Sequence, residues 1–285
     1  MSPLKYILSV TPKSLLSLAT GKVSRVKFPG VLQKKINSKF VSTFQIDLSE
    51  AAHRLDDFES IEDLFTRELK PGARKVAVAD IVSPADGMLV KSLPIHNGEA
   101  IQAKGISYSA EQLVFGDQAS PSTFDPAWFQ TVYLAPHNYH RVHSPVEGRL
   151  TAIRHIPGKL WPVNEQFVGL IPKLFTTNER MVFDIETKSG GKVYVAMVGA
   201  LNVGRIATKH CLDLVTNTTS RQVRPTQREI VFSDSKITIQ KGEELGVFML
   251  GSTAVVVFDR KTQGIDRLKI VDSAQVVHYG QSLIQ

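Results

Sequence analysis

The sequence predicts an α+β fold, predominantly β: a β-sandwich or barrel-like core preceded by N-terminal amphipathic helices. Three observations carry this expectation. From residue 75 onward the chain is dominated by short Val/Ile/Phe/Tyr runs bounded by Gly, Pro, Asn and Ser, such as TVYLA at 131–135, MVFDIET at 181–187, KVYVAMVGA at 192–200 and VVVFD at 255–259. Apolar residues at helical spacing are concentrated before Pro71. A chain of 285 residues, 42% hydrophobic and 21% charged, can bury a sizeable core, which excludes a disordered protein.

The helical part comes first. After Thr11-Pro12, Leu15, Leu16, Ala19 and Val23 predict one short amphipathic helix; around the Pro29-Gly30 break, Phe28, Val31, Leu32, Ile36 and Phe40 predict another. Residues 1–46 hold eight Lys/Arg and no Asp or Glu, so of the 34 basic and 27 acidic residues in the chain, 26 and 27 remain for 47–285. The basicity therefore belongs to one segment, which argues against a nucleic-acid-binding protein, where charge would run through the folded body. Apolar stretches such as Tyr6-Ile7-Leu8 fall far short of the roughly 20 residues that cross a bilayer, and lysines interrupt any secretory signal. Basic amphipathic helices of this kind lie in anionic membrane interfaces. The segment 1–46 thus reads as a membrane-attachment arm, or as a solvated docking arm, ahead of a single domain at 47–285.

Residues 47–70 read as helical, with Ser60 three before Asp63 as a capping-box-like start and Pro71-Gly72 as the stop. Beyond them Ser83-Pro84-Ala85-Asp86-Gly87-Met88-Leu89 and Ser144-Pro145-Val146-Glu147-Gly148-Arg149-Leu150 share the pattern S-P-x-[DE]-G-x-L. Each is a turn signal feeding a strand, compatible with an internal repeat or with recurrent Pro/Gly turn chemistry. With IQKGEELGVF at 239–248 the pattern resembles biotinyl/lipoyl-type barrels, but no lysine sits in the hairpin, which disfavours a carrier domain.

Chemistry-bearing residues are few. Cys211 is the single cysteine, so neither an intrachain disulfide nor a cysteine zinc cluster can form. PHNYHRVHSP at 136–145 spaces His137, His140 and His143 three apart, an incomplete ligand set without an HExxH helix, so no metal is expected. Acid/base work is the alternative. A serine hydroxyl becomes nucleophilic when an imidazole takes its proton, and a carboxylate holds that imidazole in its useful tautomer. Asp86, a histidine of 137–143 and Ser252 could supply the three groups, although no G-x-S-x-G elbow is present.

FESIEDLFTRELKPGAR (58–74), SPADG (83–87), YHRVHSPVEG (139–148), VNEQF with LFTTNER (163–180) and above all GVFMLGSTAVVVF (246–258) resemble the bacterial phosphatidylserine decarboxylases over nearly the whole chain. The resemblance implies a proenzyme that cuts itself between Gly251 and Ser252, leaving a β chain of residues 1–251 and an α chain of residues 252–285. It assigns self-cleavage to Asp86, His143 and Ser252, and a part in decarboxylation to His140. Attack of Ser252 Oγ on the Gly251 carbonyl carbon would turn the peptide into an ester. β-Elimination and hydrolysis would then leave a pyruvoyl group, made from Ser252, with loss of ammonia. The resemblance also implies that this group forms a Schiff base with phosphatidylserine, releasing carbon dioxide and phosphatidylethanolamine, with His140 as the expected proton donor. It further implies peripheral attachment at the cytoplasmic face of the inner membrane and a homodimer.

Asn178 and Arg180 are candidate substrate-binding residues, with solvated or structural roles as the alternative. Trp161 and Phe175 could line a lipid site or pack in the core, and the arginine-bearing segment 219–229 could reach headgroups or be solvated. Two other function classes remain open at this stage: a membrane-associated serine hydrolase using Asp86, His143 and Ser252 on an external substrate, and a membrane-attached β module without catalysis.

Overall fold

A computed structural model describes residues 21–103, 105–201, 205–216, 228–232, 237–249 and 252–285. The expected helix through Leu15, Leu16 and Ala19, residue Gly251 and most of the 219–229 segment lie outside the described residues. The fold is α+β and predominantly β. Helix α1 (Gly30–Phe44), a 3₁₀ turn (Leu55–Asp57) and helix α2 (Ile61–Phe65) lead into strands β1 (Gly87–Pro94), β2 (Glu99–Ala103) and β3 (Ile106–Ser109), then α3 (Ala110–Phe115) and β4 (Pro126–Leu134). There follow β5 (Arg141–His143), β6 (Gly148–Ile156), α4 (Glu165–Val168), α5 (Leu174–Thr177), β7 (Arg180–Glu186), β8 (Lys192–Val198) and β9 (Ile206–Ala207). The chain ends with β10 (Arg228–Val231), β11 (Ile237–Ile239), β12 (Glu244–Phe248), β13 (Ser252–Asp259) and β14 (Gln275–Val277).

Nine strands form one antiparallel sheet in the order β10-β6-β7-β8-β13-β4-β1-β14, with β11 also pairing with β6. Strand β13 sits between β4 and β8, and all eight of its residues are buried. Alternation along it feeds two cores. Ala254, Val256 and Phe258 join Leu89, Val132, Ile153 and Phe183, under the three-stranded sheet β5-β12-β9 and the C-terminal segment. Val255 and Val257 join Tyr108, Phe115, Phe129 and Tyr194 beneath the β2–β3 hairpin and helices α3–α5. A strand buried on both faces reads as a continuous apolar run, as VVVF does.

The repeated S-P-x-[DE]-G-x-L pattern has a structural counterpart. Ser83 Oγ donates to Ala85 O at 2.9 Å, and Ser144 Oγ donates to Val146 O at 2.6 Å, the same bond in both copies. The copies also hold each other: Val82 N–H donates to Pro145 O (3.0 Å) and His143 N–H donates to Pro84 O (2.7 Å). Four strands, β7, β8, β13 and β4, stand between β6 and β1 in the sheet. Their leading loops meet because the sheet coils, as twisted antiparallel sheets do, giving the core its barrel-like curvature.

The helical expectation for 47–70 is corrected. Only Ile61–Phe65 is α-helical there, capped by Ser60 Oγ accepting from Asp63 N–H at 3.1 Å. Asp47 Oδ1 takes the Ser49 N–H in a local turn, and Ala52 N–H and Lys70 N–H bond to Glu68 O and Glu50 O. The residues around Leu69 are drawn into a bridge with Ala51, and that pairing competes successfully with helix propagation.

Helix α1 forms as expected, but it docks by a polar face. Gln33 and Asn37 are buried, joined to each other at 2.8 Å, and Asn37 Nδ2 donates to Phe58 O at 2.9 Å. Val31 and Leu32 are exposed. No helix among the described residues is long and apolar enough to cross a membrane.

Gly148 opens β6 where a Cβ would meet Glu186 O at 2.5 Å and Ile185 Cγ2 at 2.7 Å. Because the first of these is backbone, Gly148→Ala is expected to destabilise the fold by about 1–3 kcal/mol, read as a lower urea midpoint.

Candidate active site

Ser252 is the first residue of β13, opposite Leu134 at the end of β4. It is 1% exposed, and its Oγ has no hydrogen-bond partner among the described residues; the same holds for Thr253 Oγ1. A buried hydroxyl left unpaired costs roughly 1–3 kcal/mol. Such an atom at the mouth of the central strand is an expense the fold carries without any packing return.

The loop that follows β4 turns back over this end. Asn138 Oδ1 accepts from Ala135 N–H at 2.8 Å and closes the turn, and His140 O accepts from Phe248 N–H at 3.0 Å, tying the loop to the end of β12 just ahead of Ser252. His140 is wholly buried. Its ring lies 3.8 Å from Phe65 of α2, and Nδ1 bonds to Asn138 O at 2.8 Å. A carbonyl only accepts, so Nδ1 carries the proton and Nε2 holds a lone pair, which has no partner among the described residues. Burial, with the positive Arg67 beside it, pushes the His140 pKa from 6.5 down to about 3. The imidazole is therefore neutral, with its lone pair at Nε2.

His143 and Asp86 come close without touching. His143 Nδ1–H donates to Gly242 O at 2.8 Å, and Nε2 accepts from the Tyr139 hydroxyl at 3.2 Å. Its ring stacks on Tyr279 with 3.9 Å between centroids and 6° between planes. Burial holds His143 below the usual histidine range. Asp86 is 3% exposed and is engaged by Arg74, whose Nη2 lies 2.6 Å from Oδ2, and by the Tyr279 N–H at 2.8 Å. The directly bonded Asp-His-Ser relay suggested by the sequence is therefore absent. The tautomer of His143 is set by a backbone carbonyl, and Asp86 reaches that ring through Tyr279. Tyr279, Arg74 and Arg67 were not singled out by sequence reasoning; Arg67 and Arg74 lay in the quoted stretch 58–74, whereas Tyr279 gave no local signal.

Asn178 and Arg180 make structural bonds. Asn178 accepts from Trp161 N–H and donates to Trp161 O and Gly199 O, while Arg180, 1% exposed, donates to the carbonyls of Leu113, Thr176, Asn178 and Gln112. Trp161 and Phe175 pack in the core around Tyr108 and Tyr194. His137 is exposed, and among the described residues no group of three or more His, Cys, Asp or Glu is arranged to hold a metal ion.

A dry serine at the head of β13, His140 in the loop tied to the end of β12 and His143 at the end of β5 are the groups that enzymes of nucleophilic and acid/base chemistry use. A family model for phosphatidylserine decarboxylase matches residues 61–285. The chain is 41% identical over 256 residues to the phosphatidylserine decarboxylase proenzyme of Acinetobacter baylyi, covering 88% of this chain and 85% of that one. It is 40% identical over 263 residues to the proenzyme of Alcanivorax borkumensis (90% and 86% covered) and 38% identical over 275 residues to that of Psychrobacter cryohalolentis (95% and 94%). The chain belongs to the phosphatidylserine decarboxylase family.

The buried histidines set the sign of the acid response. Unfolded His140 takes up a proton below pH 6.5, whereas the folded residue does so only near pH 3. Stability is therefore full above pH 6.5 and falls as pH drops below it, by about 1.4 kcal/mol per unit. Urea midpoints measured from pH 7 to 4 are expected to show this fall, with a shallower slope in His140→Gln.

Proposed function

We propose that the chain is a self-processing phosphatidylserine decarboxylase whose prosthetic group is a pyruvoyl made from Ser252. The observation that carries this reading is the buried, unpartnered Ser252 Oγ at the entrance of β13. The position fits a group that needs no hydroxyl donor, since among the described residues nothing bonds the Ser252 hydroxyl. In processing, the Ser252 proton goes to a histidine lone pair as Oγ adds to the carbonyl carbon of Gly251. His143 Nε2 is the assigned base, as the family resemblance implies: its other nitrogen is fixed as a donor on Gly242 O, and the Tyr139 hydroxyl on Nε2 has to give way to Ser252. Asp86 is a positioning residue: neutralised by Arg74, it holds the Tyr279 backbone whose ring lies on His143.

When present, the pyruvoyl ketone supplies an electron sink for the pair left as carbon dioxide departs from an amino acid. His140, through Nε2, is the residue assigned to proton transfer at the reacting carbon, and an anionic substrate beside it would raise its affinity for the proton it must carry. Phe65 and burial keep water away from that nitrogen and hold it neutral.

Attachment to the bilayer is assigned to the N-terminal segment. Helix α1 presents Val31 and Leu32 outward, and a groove of about 380 Å³ lined by Lys35, Ile36, Lys39, Phe40, Phe44 and Ile61 lies along it. Phe40 lies 6.4 Å from Phe65, which stacks on His140, so this groove is the approach assigned to a lipid. Lysines over an anionic leaflet and an apolar face in the interface support peripheral attachment at the cytoplasmic face.

Intact mass spectrometry tests processing: two chains cut at 251/252, the C-terminal one lacking a free amine. Ser252→Ala is expected to remain one chain, and a cut Ser252→Ala would sink the reading. A single uncut wild-type chain that hydrolyses esters would instead favour the hydrolase. His140→Ala is expected to be cut and to lose turnover by about 10²–10⁴-fold in carbon dioxide release. Leu32→Asp is expected to reduce co-sedimentation with phosphatidylserine vesicles several-fold, and undiminished binding would remove α1 from the interface.

A further inference from the structure

Arg67 stands in the extended segment after α2 and is 5% exposed. Its Nη2 donates to His137 O at 2.9 Å and to Asn138 O at 3.1 Å. Its Nε and Nη1 are buried and have no hydrogen-bond partner among the described residues. The Asn138 carbonyl that receives Nη2 also receives His140 Nδ1, so one oxygen anchors both side chains. The carboxylates of Asp86 and Asp47 and the Tyr139 hydroxyl influence the guanidinium electrostatically, and none bonds to it. Burying a guanidinium with two nitrogens idle is unfavourable unless an anion fills the place.

We propose that Arg67 is the anion-binding residue of this site and that it holds the phosphodiester of the lipid substrate, an inference that rests on the decarboxylase reading above. The substrate offers two anions, and the chemistry separates them. The carboxylate gives up its charge as carbon dioxide leaves, so an arginine gripping it would stabilise the ground state more than the transition state and slow the reaction. The phosphodiester keeps its charge throughout. Binding it lowers KM without opposing the chemical step, and it is joined to the α-carbon by a short linker, which suits a guanidinium anchored on the same oxygen as His140. Arginine is also the side chain best matched to phosphate oxygens.

The test uses the full, cut chain with short-chain phosphatidylserine in mixed micelles. Arg67→Met is expected to raise KM by about 10- to 100-fold with kcat within a few-fold, and Arg67→Lys to recover part of the loss. Glycerophosphoethanolamine, which has the phosphodiester and no carboxylate, is expected to inhibit the wild type competitively and to lose that inhibition in Arg67→Met. N-acetylserine, which has the carboxylate alone, is expected to act equally on both. The converse pattern assigns Arg67 to the carboxylate and overturns the proposal, as does a fall in kcat with KM unchanged. Should Arg67→Met fail to fold, Arg67→Lys takes its place in the same competition, and undiminished inhibition there overturns the proposal. If the wild type releases no carbon dioxide, the decarboxylase reading fails by itself. Calorimetric binding of glycerophosphoethanolamine to wild type and variant then judges Arg67 separately: weaker binding to the variant supports its role, and equal binding overturns it.

Discussion

Two backbone hydrogen bonds, Val82 N–H to Pro145 O and His143 N–H to Pro84 O, hold the rest of the site in place. They join the leading loops of β1 and β6, strands that the sheet order keeps apart, and so fix how far the sheet coils. Asp86 lies two residues beyond Pro84, whose carbonyl accepts the bond that His143 donates. A rigid meeting of two loops therefore brings a carboxylate and an imidazole from distant parts of the chain to opposite sides of Tyr279. Glycine follows in each copy because the strand must start against a neighbouring backbone, Tyr133 O for Gly87 and Glu186 O for Gly148, where any Cβ would collide.

The electrostatics of the site follow from dryness. Both histidines are buried, each spends Nδ1–H on a carbonyl, and each is held neutral. Water would relax these constraints by offering alternative donors, and the ring of Phe65 on one side and that of Tyr279 on the other exclude it. Asp86, in contrast, is paired with Arg74 and accepts from the Tyr279 backbone, so it is a buried ion pair and not an exposed carboxylate.

Much of this was legible in the sequence. Apolar runs bounded by turn residues identified a β-rich core, and VVVFD marked a buried strand whose place at the centre of the sheet only the structure gives. The helix at 47–70 was misread for a reason local patterns cannot reveal: its carbonyls and amides are used in a bridge between Ala51 and Leu69. The histidine cluster was visible, and its division of labour was not, since the partners of His143 are Gly242 and Tyr279, far away in sequence. Asn178 and Arg180 stayed open between a binding and a structural role, because a polar turn in the sequence suits either. Their backbone partners lie up to 68 residues away and give them structural work.

Strand β13 is hydrogen-bonded along both edges, to β4 and to β8, and is buried on both faces. A chain broken just before Ser252 therefore has no easy way to come apart: withdrawing the shorter piece would split the sheet through its middle and empty two cores at once. The same piece carries Tyr279 back against His143, so each fragment completes the other's half of the centre. Processing as proposed would therefore make an interlocked pair whose halves unfold as one molecule.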